Sequence, residues 1–304
     1  MKYAIVTDHT VAKLYGSAAL RYFGAHAQLF SFPPGESSKT RATKEWLEDA
    51  LLECGFHKDT TIVGIGGGVV TDIAGFLAST FYRGVPLILI PTTLMAMVDT
   101  AIGGKNGVNT ERGKNQIGTI YQPSQVIFDP RFLATLPASE WMNGFSEIVK
   151  HGLIAEPSLL KTFDICEAIE VKRRIIASDI YDKGKRRLLN FGHKVAHALE
   201  TASGYQMTHG IAVAKGMVIE SRIALELGFL NPSAFDTIER FLPPASFELD
   251  PEAVFQAMAK PIKLSMLKDI GEPYSFDGEY CTPVDPELVR RILYDYALHT
   301  ASIR

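Results

Sequence analysis

Cysteine is scarce in this chain of 304 residues: there are three, Cys54, Cys166 and Cys281. They are scattered, odd in number and form no CxxC pair. That excludes a disulfide framework and fits a reducing compartment, so a cytoplasmic location is expected. Excess charge of one sign is lacking too. Lys and Arg number 31 against 34 Asp and Glu, a net charge of −3. Neither a nucleic-acid binder nor a polybasic membrane protein is indicated. No long hydrophobic run occurs. The longest uncharged stretch, between Arg83 and Asp99, contains Pro86 and Pro91 and is shorter than the roughly 20 residues needed to span a bilayer. The opening MKYAIVTDHT does not read as a secretory leader, because its apolar run is short and Asp8 interrupts it. Repeats and low-complexity tracts are also missing. These absences leave a soluble protein with neither nucleic acid nor membrane among its expected partners.

What is present is a large core and a change of pattern. Hydrophobic residues make up 46% of the chain, and its length suggests two domains, since single cores stop growing near roughly 250–300 residues. Residues 3–7, 27–32, 60–65, 87–90 and 126–129 read as strands. Residues 39–54 and 69–82 read as helices. Alternation of apolar strands with helices predicts a parallel sheet covered on both faces. Beyond about Leu136 the segments 137–155, 159–169, 171–181, 186–202, 210–227 and 251–267 all read as helical, with no convincing strand. The expected architecture is an α/β N-terminal domain with a Rossmann-like parallel sheet (1–136) followed by an all-α C-terminal domain (137–304).

Several stretches carry chemistry. GIGGGVVTD (64–72) follows a strand and opens a helix, where backbone N–H groups can meet a pyrophosphate. The spacing is not the dinucleotide fingerprint, because the last glycine position falls on Val69 or Thr71. A tight turn is the plainer alternative. Asp8 could receive a ribose hydroxyl or simply cap a helix. PTTLMAMVDTAIGGKNGVNTERGKNQIG (91–118) holds Lys105 and Lys114 beside glycine turns, the composition of a phosphate cradle or of a solvated loop. In GFSEIVKHG (144–152), Glu147 and Lys150 share a helical face. Read blandly, they are an ion pair worth about 0.3 kcal/mol.

RRLLNFGHKVAHALE (186–200) carries two histidines, an asparagine and arginine among helix-forming and apolar residues. On one continuous helix, Arg186, Asn190, His193 and His197 fall at steps of four, three and four, on a single stripe. Gly192 interrupts that reading, at a cost of about 1 kcal/mol relative to Ala, and Asn190 could instead cap a helix. A catalytic Zn²⁺ takes three protein ligands and keeps one position open. Glu147, His193 and His209 can supply such a set, while the HxxxH pair His193 and His197 is the naive choice. Pattern alone does not decide which histidines bind.

The stretches GGGVVTDIAGFLASTFYRG, PTTLMAMVDTAIGGKNGVN, GKNQIGTIYQP, TLPASEWMNGFSEIVKHGLI, LLNFGHKVAHALE and HGIAVAKGMV occur in this order. With them the chain resembles the 3-dehydroquinate synthases from about Val6 to Lys263. The resemblance implies a dehydroquinate synthase-like fold, NAD and a divalent metal (Zn²⁺ or Co²⁺). It implies that Glu147, His193 and His209 bind the metal, with His197 and Asn190 in a hydrogen-bonding and proton-transfer network beside the substrate. Asp99, Lys105, Asn115, Lys150, Lys172 and Arg186 match substrate- and phosphate-binding positions, and Lys263 a late phosphate-contacting lysine. Arg83 resembles an arginine that reaches the neighbouring subunit's site, implying a homodimer. Asp8, Glu36, Lys39, Gly67, Gly68, Asp72, Thr92, Thr93, Lys114, Thr135 and Glu140 correspond to the NAD site. The chain departs from the family pattern at Thr71, where glycine is usual, and at Ile180 and Ile211, where acids are common. It also looks shortened between Leu159 and Lys172.

The activity so implied converts 3-deoxy-D-arabino-heptulosonate 7-phosphate to 3-dehydroquinate and phosphate, in the shikimate route to aromatic amino acids. Oxidation acidifies a neighbouring C–H, phosphate leaves, hydride returns, the ring opens and an aldol closes the carbocycle. Three rivals remain: a cyclase for another sugar phosphate such as sedoheptulose 7-phosphate, a polyol dehydrogenase, and a shortened non-catalytic binding protein.

Overall fold

The computed structural model describes residues 2–111 and 113–301. The chain forms two compact units, residues 1–141 and 142–304. Among the described residues, no helix is long and apolar enough to cross a membrane.

The first unit alternates strands and helices: β1 (Lys2–Asp8), α1 (His9–Phe23), β2 (Ala27–Phe32), α2 (Arg41–Glu53), β3 (Thr60–Gly66), α3 (Gly68–Thr80) and β4 (Leu87–Pro91). A hairpin, β5 (Lys105–Thr110) and β6 (Gly113–Ile120), precedes a short β7 (Gln125–Val126). Five strands form one parallel sheet in the order β2-β1-β3-β4-β7. Side chains alternate across it, as the pleat requires. Ala4 and Val6 of β1 pack with Leu47 and Leu51 of α2 and with Ile73 and Leu77 of α3. Ile5, between them, packs with Val11, Val63, Ile65 and Ile90, against the aromatic rings of Tyr15 and Phe23 on α1. Two apolar faces per strand are why β3 is buried throughout and reads as a continuous apolar run.

Three expectations change here. The helix α1 was not foreseen; it follows β1 directly, and Asp8 caps it by accepting from the Val11 N–H at 2.9 Å. The segment taken as glycine turns is a one-turn π-helix (Ala96–Thr100) followed by the antiparallel hairpin. The last strand pairs with β4 only at Gln125 and Val126, not over residues 126–129.

The second unit is mainly helical: most of α4 (Ala138–Ile154), then α5 (Leu159–Thr162), α6 (Ile165–Ser178), α7 (His193–Ala202), α8 (His209–Glu226), α9 (Pro232–Phe241), α10 (Pro251–Ala257) and α11 (Pro286–Ala301). It is not without strands. Two short antiparallel pairs occur: β8 (Lys263–Leu264) with β11 (Thr282–Pro283), and β9 (Leu267–Asp269) with β10 (Glu272–Pro273). The expected break near residue 170 lies instead at Phe163 and Asp164. Phe163 is left-handed (φ 49°), and Asp164 caps α6 through the Glu167 N–H at 2.8 Å. The expected helix over 251–267 stops at Ala257, ahead of Pro261, which cannot donate to a helical ladder.

The segment 186–202 is not one helix. A 3₁₀ stretch covers Lys185–Asn190, Gly192 turns left-handed (φ 78°), and α7 starts at His193. A single polar stripe through Arg186, Asn190, His193 and His197 therefore does not exist. Arg186 points inward, 3% exposed, and donates to the Ile180 carbonyl at 2.6 Å, while Asn190 is exposed.

Candidate active site

Three helices of the second unit bring one acid and two imidazoles together. Glu147 lies on the buried side of α4, with Ser146 and every residue from Ile148 to Ile154 buried around it. His193 is the first residue of α7 and His209 the first of α8. Each offers a ligand atom, and the three atoms lie within 4.8 Å of one another. The His193 Nε2 is 3.5 Å from Glu147 Oε1, and the His209 Nε2 is 3.6 Å from the same oxygen.

The donors are prepared for a cation. Glu147 is fully buried, and its Oε2 is taken by the Lys150 ammonium. Oε1 has no hydrogen-bond partner although it is buried. A buried, unsatisfied carboxylate oxygen is costly, and a dication between it and two imidazole nitrogens would satisfy it. Each imidazole is held from behind. His193 Nδ1 lies 3.2 Å from the Phe191 carbonyl, so the ring proton sits there and Nε2 is left as a lone pair. His209 Nδ1 lies 3.4 Å from the buried carboxylate of Glu200. Backing by carbonyl and carboxylate is the arrangement that orients metal-binding imidazoles.

Charge follows the same logic. Burial acts most strongly on Glu147 and would raise it, but Lys150, His193 and His209 together hold it well below the usual carboxylate range. Burial and the Lys150 charge push His193 down to about 3, so it is neutral and ready to bind. Burial also lowers His209, yet the neighbouring carboxylates of Glu147 and Glu200 override this and raise it to about 9. A cation must displace that proton.

His197 stands next to this triplet, not in it. Its ring centroid is 5.7 Å from that of His193 and 6.5 Å from that of His209. Lys150, Lys172 and Arg186 are all buried cations in this unit. Lys263 is exposed on β8.

Two acids were missed by sequence reasoning. Glu200 is the partner of His209 just described. Glu220, on α8, is buried and accepts from the N–H groups of Gly192 (2.9 Å), Lys194 (3.1 Å) and Val195 (3.2 Å). Burial pushes its carboxyl up, while the three backbone N–H donors and Lys194 favour the ionised form. The available signal was a lone acid inside an apolar helical run, GMVIESRIA. Such an acid is almost never fully buried unless paired.

In the first unit three residues assigned to NAD, Glu36, Lys39 and Asp72, fall into a network with Asn109 and Asn115 of the hairpin. Lys39 is buried, pairs with the buried Asp72 and donates to Asn115 Oδ1 at 2.6 Å. Burial raises the Asp72 carboxyl, and Lys39 offsets this in part. Asn109 donates to Glu36 at 2.7 Å and accepts from the Asn115 N–H at 3.1 Å. The structure therefore ties Asn115 to Lys39. Gly67 precedes α3 and Gly68 opens it. A Cβ on Gly67 would meet the Thr93 methyl at 3.0 Å. Thr92 is buried, and its N–H donates to the Gly66 carbonyl at 3.0 Å. Thr135 meets the Tyr15 hydroxyl at 2.5 Å, away from this network. Asp99 lies in the π-helical turn, Lys105 is exposed at the start of β5, Lys114 is half-buried on β6, and Glu140 sits in the first turn of α4. Arg83 is exposed and left-handed (φ 66°), directly after Tyr82 (φ 46°). Two consecutive non-glycine residues in that region are strained.

The chain is similar to known proteins in sequence and in fold. Residues 29–143 match the family model described as 3-dehydroquinate synthase N-terminal, and residues 144–269 that described as 3-dehydroquinate synthase C-terminal. The 3-dehydroquinate synthase of Chlamydia caviae is 45% identical over 218 residues, 66% of this chain and 58% of that protein. The chain thus spans less than two thirds of the length of such curated relatives. Among solved structures, 2-deoxy-scyllo-inosose synthase complexed with carbaglucose-6-phosphate, NAD⁺ and Co²⁺ superposes with a TM-score of 0.88 at 28% identity, covering 97% of this chain and 90% of that one. ValA, the 2-epi-5-epi-valiolone synthase of Streptomyces hygroscopicus with NAD⁺ and Zn²⁺ bound, gives 0.84 at 28% identity, covering 98% and 91%.

Proposed function

The chain belongs to the 3-dehydroquinate synthase family, and we propose that it converts 3-deoxy-D-arabino-heptulosonate 7-phosphate to 3-dehydroquinate and phosphate. One observation carries the reading: the unpartnered, buried Glu147 Oε1 faces two imidazole nitrogens that are themselves backed by Phe191 and Glu200. That donor set fits Zn²⁺ or Co²⁺, and the related cyclases bind such ions with NAD⁺.

In this proposal Glu147, His193 and His209 hold the cation. Residues 1–136 form the NAD-binding domain, using Asp8, Glu36, Lys39, Gly67, Gly68, Asp72, Thr92, Thr93, Lys114 and Thr135, with Glu140 added from the first turn of α4. Residues 137–304 form the metal- and substrate-binding domain. When bound, the cation supplies Lewis acidity toward vicinal hydroxyls and NAD a reversible hydride acceptor. The chain's own groups do the rest. Lys105, Lys172, Arg186 and Lys263 bind phosphate as charge-assisted donors. Asp99, Asn115, Lys150 and Asn190 orient hydroxyls. His197, beside the imidazole pair, serves the proton-transfer network. Arg83 completes a partner's site in a homodimer.

The similarity to cyclases named for other products supports a second reading, a different sugar phosphate as substrate. Purified protein with NAD and zinc, given either heptulosonate phosphate or sedoheptulose 7-phosphate, separates the two by phosphate release and product identity. We expect release from the first alone, no accumulating NADH and loss of activity with chelator. Release from sedoheptulose 7-phosphate alone rejects the first reading; accumulating NADH rejects both.

A further inference from the structure

Both imidazoles of the triplet open a helix, and neither helix has a side-chain cap of its own. Gly192 and Thr208, the residues before α7 and α8, make no capping hydrogen bond from a side chain. Helix N-termini leave N–H groups without intrahelical partners, and here those groups lie beside the proposed cation site. The partners come from other helices. At α8, the Gly210 N–H donates to Asn143 Oδ1 on α4 at 3.0 Å. At α7, three N–H groups find their partner in Glu220. Its Oε2 takes the Gly192 N–H, and its Oε1 takes those of Lys194 and Val195. These donors bracket His193 on both sides.

Glycines make the reach possible. A Cβ on Gly216 would come within 2.0 Å of the Gly192 carbonyl, and one on Gly192 within 2.6 Å of Met217 Cγ. The start of α7 therefore lies directly on α8. Glu220 follows Gly216 by four residues, on the same face of α8.

We infer that Glu220 is a positioning residue for the cation site: supplied from α8, it fixes the first turn of α7 and so sets the direction of the His193 imidazole. The inference rests on the reading of His193 as a ligand. Its mechanism is hydrogen-bond acceptance at two oxygens, which an amide of identical size cannot provide. In Glu220→Gln, one of the two oxygens becomes an NH₂ facing an N–H donor.

The test compares zinc affinity, by competition with a chromophoric chelator, and the visible spectrum of the cobalt form. Four proteins are needed: wild type, Glu220→Gln, His193→Ala and Asp250→Ala. Asp250 caps α10 in the same unit by accepting from the Glu252 N–H at 3.0 Å, so its loss controls for a general fall in stability. Glu220→Gln should weaken zinc binding about 10- to 100-fold, the usual effect of losing an outer partner, and shift the cobalt bands. Asp250→Ala should lower the melting temperature with zinc affinity unchanged. Wild-type affinity and spectrum in Glu220→Gln overturn the inference. So does a loss of affinity that Asp250→Ala reproduces at equal loss of melting temperature. His193→Ala should bind no zinc in the site; if it retains wild-type affinity, the ligand reading itself fails and takes the inference with it. Should Glu220→Gln not fold, Glu220→Asp carries the same comparison, because its carboxyl is one methylene too short to reach all three donors.

Discussion

At the scale of single residues, the site depends on how one buried carboxylate divides its two oxygens. Lys150 holds Oε2 of Glu147, which leaves Oε1 for a cation. Glu147→Gln should abolish zinc binding and activity together. It should also destabilise the fold by about 3–5 kcal/mol, since it strands the buried Lys150. Elemental analysis and a melting curve check both, and normal zinc content would contradict the ligand assignment. His197→Ala should keep the metal and lose turnover. Loss of metal there would restore the HxxxH pair. A pH effect follows from His209. Its pKa of about 9 means that it carries a proton at neutral pH, and His193 at about 3 does not. Zinc binding at pH 7 should therefore release about one proton per ion. Below pH 9 that proton competes with the ion, so affinity should rise by about tenfold per unit between about pH 6 and 8. Calorimetry in buffers of different ionisation enthalpy measures the release; none would contradict the charge assignment. Of these residues, Glu147, His193 and His209 were one possible ligand set by residue type, and the family resemblance alone preferred them. Spacing alone could not choose between His197 and His209. Glu200 and Glu220 escaped because each acts through contacts far along the chain, which no local pattern records.

At the scale of elements, apolar runs identified what they dictate and little else. The strands β1, β3 and β4 were legible because they are largely buried on both faces, and β2 through its buried Phe30 and Phe32. The hairpin β5–β6 was not, since KNGVNT and GKNQIGTI are polar and glycine-rich, and β6 is exposed or half-buried along its length. The start of α7 was misread because the spacing of four, three and four suits a continuous helix, whereas Gly192 is left-handed and ends one. Gly192→Ala tests that turn. Its φ of 78° disfavours any side chain, and the new methyl would press on Met217. A loss of at least about 1–3 kcal/mol is expected, seen as a lower melting temperature. An unchanged melting temperature would contradict the close approach of α7 to α8.

At the scale of the whole molecule, the residues proposed for NAD lie in the first unit and those proposed for the cation in the second. A change from alternating strands and helices to a mainly helical pattern was readable in the sequence, because parallel-strand and helical periodicities differ. The small antiparallel pairs near the C-terminus were not, being two or three residues long. Arg83 carries the expectation of a homodimer. Arg83→Ala should be impaired alone, and mixing it with Glu147→Gln should restore part of the activity by forming one intact site per mixed dimer. No recovery would confine the arginine to its own chain. The central claim is that one cation is gripped by Glu147, His193 and His209. It is tested most directly by anomalous diffraction at the zinc edge from crystals of the zinc-loaded protein. The account predicts one strong peak about 2.0–2.2 Å from Glu147 Oε1 and the two imidazole Nε2 atoms. A peak between His193 and His197, with Glu147 turned away, would contradict it.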